Sequence, residues 1–74
     1  MKKVEEEKRN YIVRLSLLIS SDYRSGVEQI KYTHDKEDEY AEIMFEGGHT
    51  VAVNITGDSL GAIYKDVGKV VYRL

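Results

Sequence analysis

The sequence predicts an α+β fold: an N-terminal helix, a three-stranded antiparallel meander and a C-terminal helix, with both helices on one face of the sheet. Three observations predict it. Residues 3–21 contain neither Gly nor Pro, residues 27–55 hold three short segments in which apolar and polar residues alternate, and residues 60–74 carry an apolar stripe of helical period. No linker or internal repeat interrupts the pattern, so we expect a single α+β domain over residues 1–74.

The first segment shows helical spacing. Six of its apolar residues fall within about 60° of one line at ~100° per residue, and Asp22 just after the segment continues that line: Val4, Tyr11, Ile12, Leu15, Leu18 and Ile19. Alternate positions from Val13 to Ile19 are also apolar, as in a strand, but the length of the segment and the helix-forming run Glu5–Arg9 favour a helix. In that helix Val13 and Leu17 lie on the back, which requires either a second buried face or an exposed apolar pair.

The three alternating segments are Val27–Thr33, Tyr40–Glu46 and Thr50–Ile55. A two-residue turn at Gly47 and Gly48 would set the apolar residues of the second and third strands on opposite faces. A three-residue loop that includes His49 keeps them on one face, and we therefore predict that loop. It pairs Phe45 with Val51, Ile43 with Val53 and Ala41 with Ile55.

The last segment predicts a second helix, capped by Asp58 or Ser59. Its inward stripe comprises Leu60, Ile63, Tyr64, Val67 and Val71. Gly61 and Gly68 lie together on one flank, although a glycine inside a helix costs ~1 kcal/mol relative to alanine. Two explanations stay open: close packing inside the domain, or a self-association surface. The candidate residues for self-association are Val13, Leu17, Gly61 and Gly68.

Composition excludes several classes of protein. The chain has 74 residues and no Cys, so it has no disulfide framework and no thiol chemistry. No apolar run reaches the ~18–20 residues of a membrane span, and no signal peptide is recognisable, so we expect a cytoplasmic protein. A domain this small has little room for a substrate pocket. We predict no enzyme activity and no cofactor.

The candidate metal-binding pattern is incomplete. Acidic residues at 35, 37, 39 and 46 match positions 1, 3, 5 and 12 of a calcium-binding loop, but Tyr40 stands where that loop requires Gly. His34 and His49 lie at opposite ends of the predicted second strand, too far apart to share a metal ion. Ser59 suits a helix cap better than a nucleophile. We therefore predict no metal site.

Charge is strongly segregated. The net charge is −2, but residues 34–46 alone carry −5 and the rest of the chain +3. The acidic segment fits either a solvated loop that protects an edge strand or a surface for a basic partner. The candidate partner-binding residues are Asp35, Glu37, Asp38, Glu39, Glu42 and Glu46. A basic stripe with stacking aromatics is missing from the sequence, so we expect no direct nucleic-acid binding.

The small size, the acidic segment, the order of elements and the stretch Val51–Val67 resemble small proteins of phages and mobile elements, among them anti-CRISPR inhibitors of Cas nucleases. This resemblance implies a non-catalytic inhibitor of a nucleic-acid-handling protein. Some members of that group present carboxylates to a surface that normally grips DNA, and the acidic candidates named above would do so here. The alternative is a small homodimeric structural or regulatory interaction protein without a nucleic-acid-related target.

Overall fold

A computed structural model describes the backbone of residues 2–73 and the side chains of residues 5–73, so the side chain of Val4 lies outside the described residues. The elements follow the predicted order and confirm the α+β fold. They are α1 (Lys2–Ser20), β1 (Val27–Asp35), β2 (Asp38–Phe45), β3 (Thr50–Asn54) and α2 (Leu60–Tyr72). A 3-10 turn at Tyr23–Ser25 precedes Gly26, whose φ of 68° is the left-handed conformation that glycine adopts readily.

The sheet is an antiparallel meander of order β1-β2-β3. Ile30 of β1 pairs with Ile43 of β2, which pairs with Val51 of β3, and this row faces the helices. Alternate residues of each strand point away from the helices, so one face of the sheet is uncovered. The core between helices and sheet comprises Ile12, Leu15, Ile19, Val27, Ile30, Tyr32, Ala41, Ile43, Ile55, Ile63 and Val67.

The register of β2 and β3 differs from the prediction. Val51 pairs with Ile43 rather than with Phe45, a shift of two residues, so the predicted pairs are wrong. The loop consists of residues 46–48, and the N–H of Phe45 donates to the carbonyl oxygen of His49 over 2.7 Å. Both glycines of this loop have positive φ (97° and 89°), which lets the chain reverse directly after Phe45. A shift of two leaves every side chain on its predicted face.

The connection from β3 to α2 is tied to the start of β2. β3 ends at Asn54, one residue earlier than predicted, and Ile55 is fully buried beyond it. The N–H of Ile55 donates to the carbonyl oxygen of Glu39 over 2.8 Å. Ser59 then caps α2, because its hydroxyl oxygen accepts the N–H of Ala62 at 3.2 Å. The prediction of a cap at this position is confirmed.

The first segment is a helix, as predicted, but its buried face is rotated. Leu18, predicted to point inward, is 65% exposed, whereas Lys8 and Ser16 are buried. The hydroxyl oxygen of Ser16 accepts the N–H of Ile30 at 2.8 Å, and Lys8 contacts Glu39. These two contacts bind α1 to the β1–β2 hairpin and leave Leu18 in solvent.

Apolar side chains remain exposed on both helices. Val13 and Leu17 are exposed on α1, so the exposed apolar pair is the arrangement that occurs. On α2, Ile63 and Val67 are fully buried, whereas Tyr64 is 57% exposed, and its predicted place in the inward stripe is wrong. The helical layer therefore covers the sheet but leaves apolar surface of its own.

Candidate functional site

Three of the predicted partner-binding carboxylates form the end of the β1–β2 hairpin. Asp35 and Asp38 are paired across the strands, and Lys36 and Glu37 form the turn between them. All four residues are exposed. Paired residues of antiparallel strands lie about 4.5–5.5 Å apart at Cα, so Asp35, Glu37 and Asp38 form one anionic patch. We call these three residues the acidic tip.

Glu39 differs from its neighbours because its side chain turns toward α1. One carboxylate oxygen accepts a hydrogen bond from Lys8 Nζ at 2.6 Å, and the other accepts one from the Tyr32 hydroxyl at 2.7 Å. Burial opposes the charged form, but the hydrogen bonds from Lys8 and Tyr32 outweigh it and hold the pKa of Glu39 below its ordinary value. Glu39 therefore anchors the hairpin and is not part of the acidic tip.

The contacts of Lys8, Tyr32 and Glu39 fix the hairpin against α1. The side chains of Lys8 and Glu39 are 7% and 15% exposed, so the ion pair is screened little by solvent. Burial and the hydrogen bond to Glu39 raise the pKa of Tyr32 further above neutral pH, and its protonated hydroxyl is the donor to Glu39. The guanidinium carbon of Arg9 lies 4.8 Å from the centre of the Tyr32 ring, a cation–π contact that closes the cluster.

The sequence contains a signal for this cluster, but the pattern of apolar residues alone does not reveal it. Lys8 precedes Ile12 by one helical turn, and Glu39 precedes Ala41 by two strand residues, so each charged residue shares a face with a core residue. Charges almost never lie on a buried face without a partner. A lysine and a glutamate on two facing buried surfaces therefore indicate an ion pair.

Glu42 lies on the uncovered face of the sheet. In the register it stands between Lys31 of β1 and Ala52 of β3, and it is half-buried among its neighbours. Asp38 precedes it by four residues on the same side of β2. Four strand residues span about 13 Å, so Glu42 extends the negative surface from the acidic tip along the uncovered face.

Glu46 lies at the other end of the sheet. It belongs to the loop after β2, where its N–H donates to the carbonyl oxygen of Gly26 over 2.9 Å. Eight strand residues separate it from Asp38, a span of about 26 Å. The structure thus brings four of the six candidates to one side of the molecule: Asp35, Glu37, Asp38 and Glu42.

The uncovered face also carries apolar surface. Tyr40 and Met44 lie on either side of Glu42 along β2 and are half-buried, and Ala52 is exposed beside Glu42. The other side chains of this face are polar: Gln29, Lys31, Thr33, Thr50 and Asn54. A flat surface that mixes apolar and polar groups suits a protein partner, whereas small ligands need a concave site.

The four candidate self-association residues are divided between the two helices. Val13 and Leu17 lie on the exposed side of α1. A Cβ added at Gly61 would meet no atom within 4 Å among the described residues, so close packing does not explain this glycine. Gly68 follows Gly61 by seven residues, on the same flank of α2, and lines a groove between α1 and α2.

The groove between the helices has a cavity volume of about 590 Å³. Leu18 lines it from α1, and Tyr64, Gly68 and Tyr72 line it from α2. The hydroxyl of Tyr72 donates to a carboxylate oxygen of Asp22 over 3.0 Å, which joins the C-terminal ends of the two helices. We call this feature the helix groove.

Asp58 and Asp66 form a carboxyl pair near the start of α2. A hydrogen bond that the protonated Asp58 carboxyl donates to Asp66, together with burial, raises the pKa of Asp58. The Oδ2 atom of Asp58 is buried and has no hydrogen-bond partner among the described residues. When both carboxyl groups are ionised, the repulsion between their negative charges opposes folding.

The side chains that could bind a metal ion or take part in catalysis are dispersed. Among residues 5–73, no group of three His or carboxylate side chains could hold a metal ion. His34 belongs to β1 near the acidic tip, whereas His49 lies in the loop region at the opposite end, where its ring contacts Phe45 at 5.6 Å between centroids. Neither helix, within residues 2–73, combines the length and the hydropathy that crossing a membrane requires.

Comparison with models of protein families, with curated proteins and with solved structures finds no match to this chain. A functional assignment for this chain therefore rests on the geometry of the molecule. It offers two surfaces on opposite sides of the sheet: the acidic tip with the uncovered face, and the helix groove.

Proposed function

We propose that this protein is a non-catalytic binding module that inhibits a nucleic-acid-handling protein by occupying its phosphate-binding surface with the acidic tip. The observation that supports the proposal is the exposure of Asp35, Glu37 and Asp38 at the end of a hairpin anchored from behind by Glu39. Lysine and arginine side chains that donate hydrogen bonds to phosphate oxygens also donate them to carboxylate oxygens.

Rigidity of the hairpin supports this role. Besides its contacts with Lys8 and Tyr32, Glu39 donates its N–H to the Thr56 hydroxyl oxygen over 2.8 Å, which ties the start of β2 to the turn after β3. A preorganised binding element loses less conformational entropy on association than a flexible acidic loop. The carboxylates would then meet a basic cleft in a fixed arrangement.

The uncovered face would supply the rest of the interface. Tyr40 and Met44 lie beside Glu42, and aromatic side chains and methionine are enriched at the centres of protein interfaces. In this arrangement charge guides the encounter and sets specificity, and the apolar contacts slow dissociation. The cytoplasm is the compartment in which such a target would be met.

A Cas nuclease is the target that we propose to test first, because it holds nucleic acid in a positively charged channel. A panel of purified Cas nucleases is assayed for cleavage of target DNA with increasing amounts of this protein. The test variant combines Asp35→Asn, Glu37→Gln and Asp38→Asn. The matched control removes three exposed carboxylates elsewhere: Glu6→Gln, Glu7→Gln and Glu28→Gln.

We expect the chain to inhibit a member of the panel, with inhibition about tenfold or more weaker for the tip variant and unchanged for the control. Inhibition should also weaken as salt rises from 50 to 300 mM, because ions screen exposed charges. Equal inhibition by both triple variants would refute the role of the acidic tip. If the protein inhibited none of the nucleases in the panel, a Cas nuclease would be refuted as the target.

A further inference from the structure

The helix groove presents apolar side chains in a regular order. Tyr64, Gly68 and Tyr72 follow one another at intervals of one helical turn, and Leu18 faces them from α1. Gly68 contributes no side chain of its own between the two tyrosines. Leu18 and Tyr64 are more than half exposed. Ridges spaced by one turn match the way side chains of one helix enter the grooves of another.

Positive charge lies in the lining of the helix groove and near it. Lys65 and Lys69 belong to its lining on α2 and are exposed. On α1, exposed Arg14 precedes Leu18 by one turn and therefore lies in line with it. The acidic residue of the lining, Asp22, accepts hydrogen bonds from the Tyr72 hydroxyl and from Arg24. An occupant thus meets apolar surface together with the cationic side chains of Lys65 and Lys69.

The geometry points to the helix groove as a docking site for an amphipathic α-helix of a partner protein, with apolar anchors at i, i+4 and i+7 and with Asp or Glu beside them. The anchors would pack on Leu18 and insert between Tyr64 and Tyr72 over Gly68. The acidic residues would pair with Lys65 and Lys69. Such binding follows the helix-in-groove mode, in which turn-spaced anchors give affinity.

Charge favours this occupant over a second copy of the chain. Two copies that met through their helix grooves would bring Lys65 and Lys69 of each chain toward those of the other, and like charges at an interface oppose association. The site is also separate from the acidic tip, because the helices and the uncovered face lie on opposite sides of the sheet. Its test therefore does not depend on the proposed function.

The test is a display selection on the purified full chain. A library of 16-residue helical peptides with randomised surface positions is selected against the protein and counter-selected against the Leu18→Glu variant. We expect enriched peptides to carry apolar residues at i, i+4 and i+7 with flanking Asp or Glu. A synthetic enriched peptide should bind Leu18→Glu about tenfold or more weakly, the loss typical of a central anchor.

Matched variants distinguish peptide binding in the helix groove from nonspecific binding. Val13→Glu adds the same charge to an exposed apolar site on α1, five residues before Leu18 and thus about 140° away around the helix, and it should leave peptide binding unchanged. Lys65→Gln with Lys69→Gln should weaken binding and reduce its salt dependence, whereas Lys31→Gln with Lys36→Gln should not. Circular dichroism checks that each variant is folded.

Three outcomes would overturn the proposal. The first is enrichment of basic peptides or of peptides without turn-spaced anchors. The second is loss of binding in Val13→Glu equal to that in Leu18→Glu. The third is sedimentation equilibrium showing a dimer of the wild-type chain that Leu18→Glu dissociates, because the occupant would then be a second copy.

Discussion

Lys8 Nζ lies 2.6 Å from Glu39 Oε1, and this buried contact joins α1 to the start of β2 across 31 residues of sequence. Removing two charges from water costs several kcal/mol, which a buried pair recovers only when its geometry is good and its other polar atoms are satisfied. The hydroxyl of Tyr32 satisfies the second oxygen of Glu39. The fold therefore depends on keeping both charges together.

Replacing Lys8→Met should destabilise the protein by about 2–4 kcal/mol, because Glu39 would stay buried without its counter-charge. Urea denaturation at pH 7 measures the change. The combined variant Lys8→Met with Glu39→Gln should lose less than the single variant, since no unpaired charge remains. Glu5→Gln breaks the exposed Glu5–Arg9 pair at 3.7 Å and should cost under about 0.5 kcal/mol. Equal losses in Lys8→Met and Glu5→Gln would contradict the argument.

Stability should fall in acid through Glu39. Its pKa in the folded protein is lower than in the unfolded chain, so its ionised form contributes stability at pH values above the unfolded pKa, and this contribution disappears as the pH falls through the folded pKa. Unfolding free energies measured between pH 7 and pH 2 should therefore decline more steeply for the wild type than for Glu39→Gln. Parallel curves for the two proteins would show that Glu39 is not the titrating group.

Asp58 should act in the opposite direction. Its folded pKa is raised, so its contribution is fully present below the unfolded pKa and is lost as the pH rises through the folded value. Asp58→Asn removes the repulsion and lets an amide N–H donate to Asp66. We expect a gain in stability at pH 7, under about 1 kcal/mol because the pair is partly solvated, and none at pH 3. A gain of equal size at both pH values would exclude the carboxyl pair as its cause.

The fold could be predicted from the sequence because hydrophobic period separates helices from strands here, aided in the first segment by its length and by the helix-forming run Glu5–Arg9. The register of β2 and β3 could not, because a shift of two residues leaves Val51 and Ile43 on the same buried face and changes only their partners. The turn decided between the registers, through the positive φ angles of Gly47 and Gly48. Periodicity carries no information about such a choice.

The candidate site was predictable in part for a related reason. Strand alternation assigns Glu42 to the uncovered side and Glu39 to the covered side, whereas the contiguity of the acidic residues in sequence predicts a single surface. The helix groove was not predictable, because it depends on the rotation of α1, and contacts of Lys8 and Ser16 with the sheet set that rotation. Leu18 thereby moved from the predicted core to the groove.

Lys36 should limit the stability of the hairpin. Its φ of 58° lies in the left-handed region, where a side chain with a Cβ costs about 1–2 kcal/mol and a β-branched residue more. Lys36→Asn and Lys36→Val remove the same charge, but asparagine tolerates this conformation. We expect the Asn variant to be at least about 1 kcal/mol more stable than the Val variant in thermal or urea unfolding. Equal stability would mean that the turn adopts another conformation in solution.

Gly61 should be replaceable with a gain in stability. It lies in the first turn of α2 with negative φ, is exposed, and has no atom within 4 Å of an added Cβ among the described residues. Alanine loses less backbone entropy on folding than glycine, so Gly61→Ala should stabilise the protein by about 0.5–1 kcal/mol. Gly57→Ala is the contrasting variant, because φ at Gly57 is 77° and a Cβ there is strained, so it should destabilise. Urea denaturation of both variants decides the point: a loss in Gly61→Ala would reveal a close contact at this flank of α2, as a self-associating surface would require.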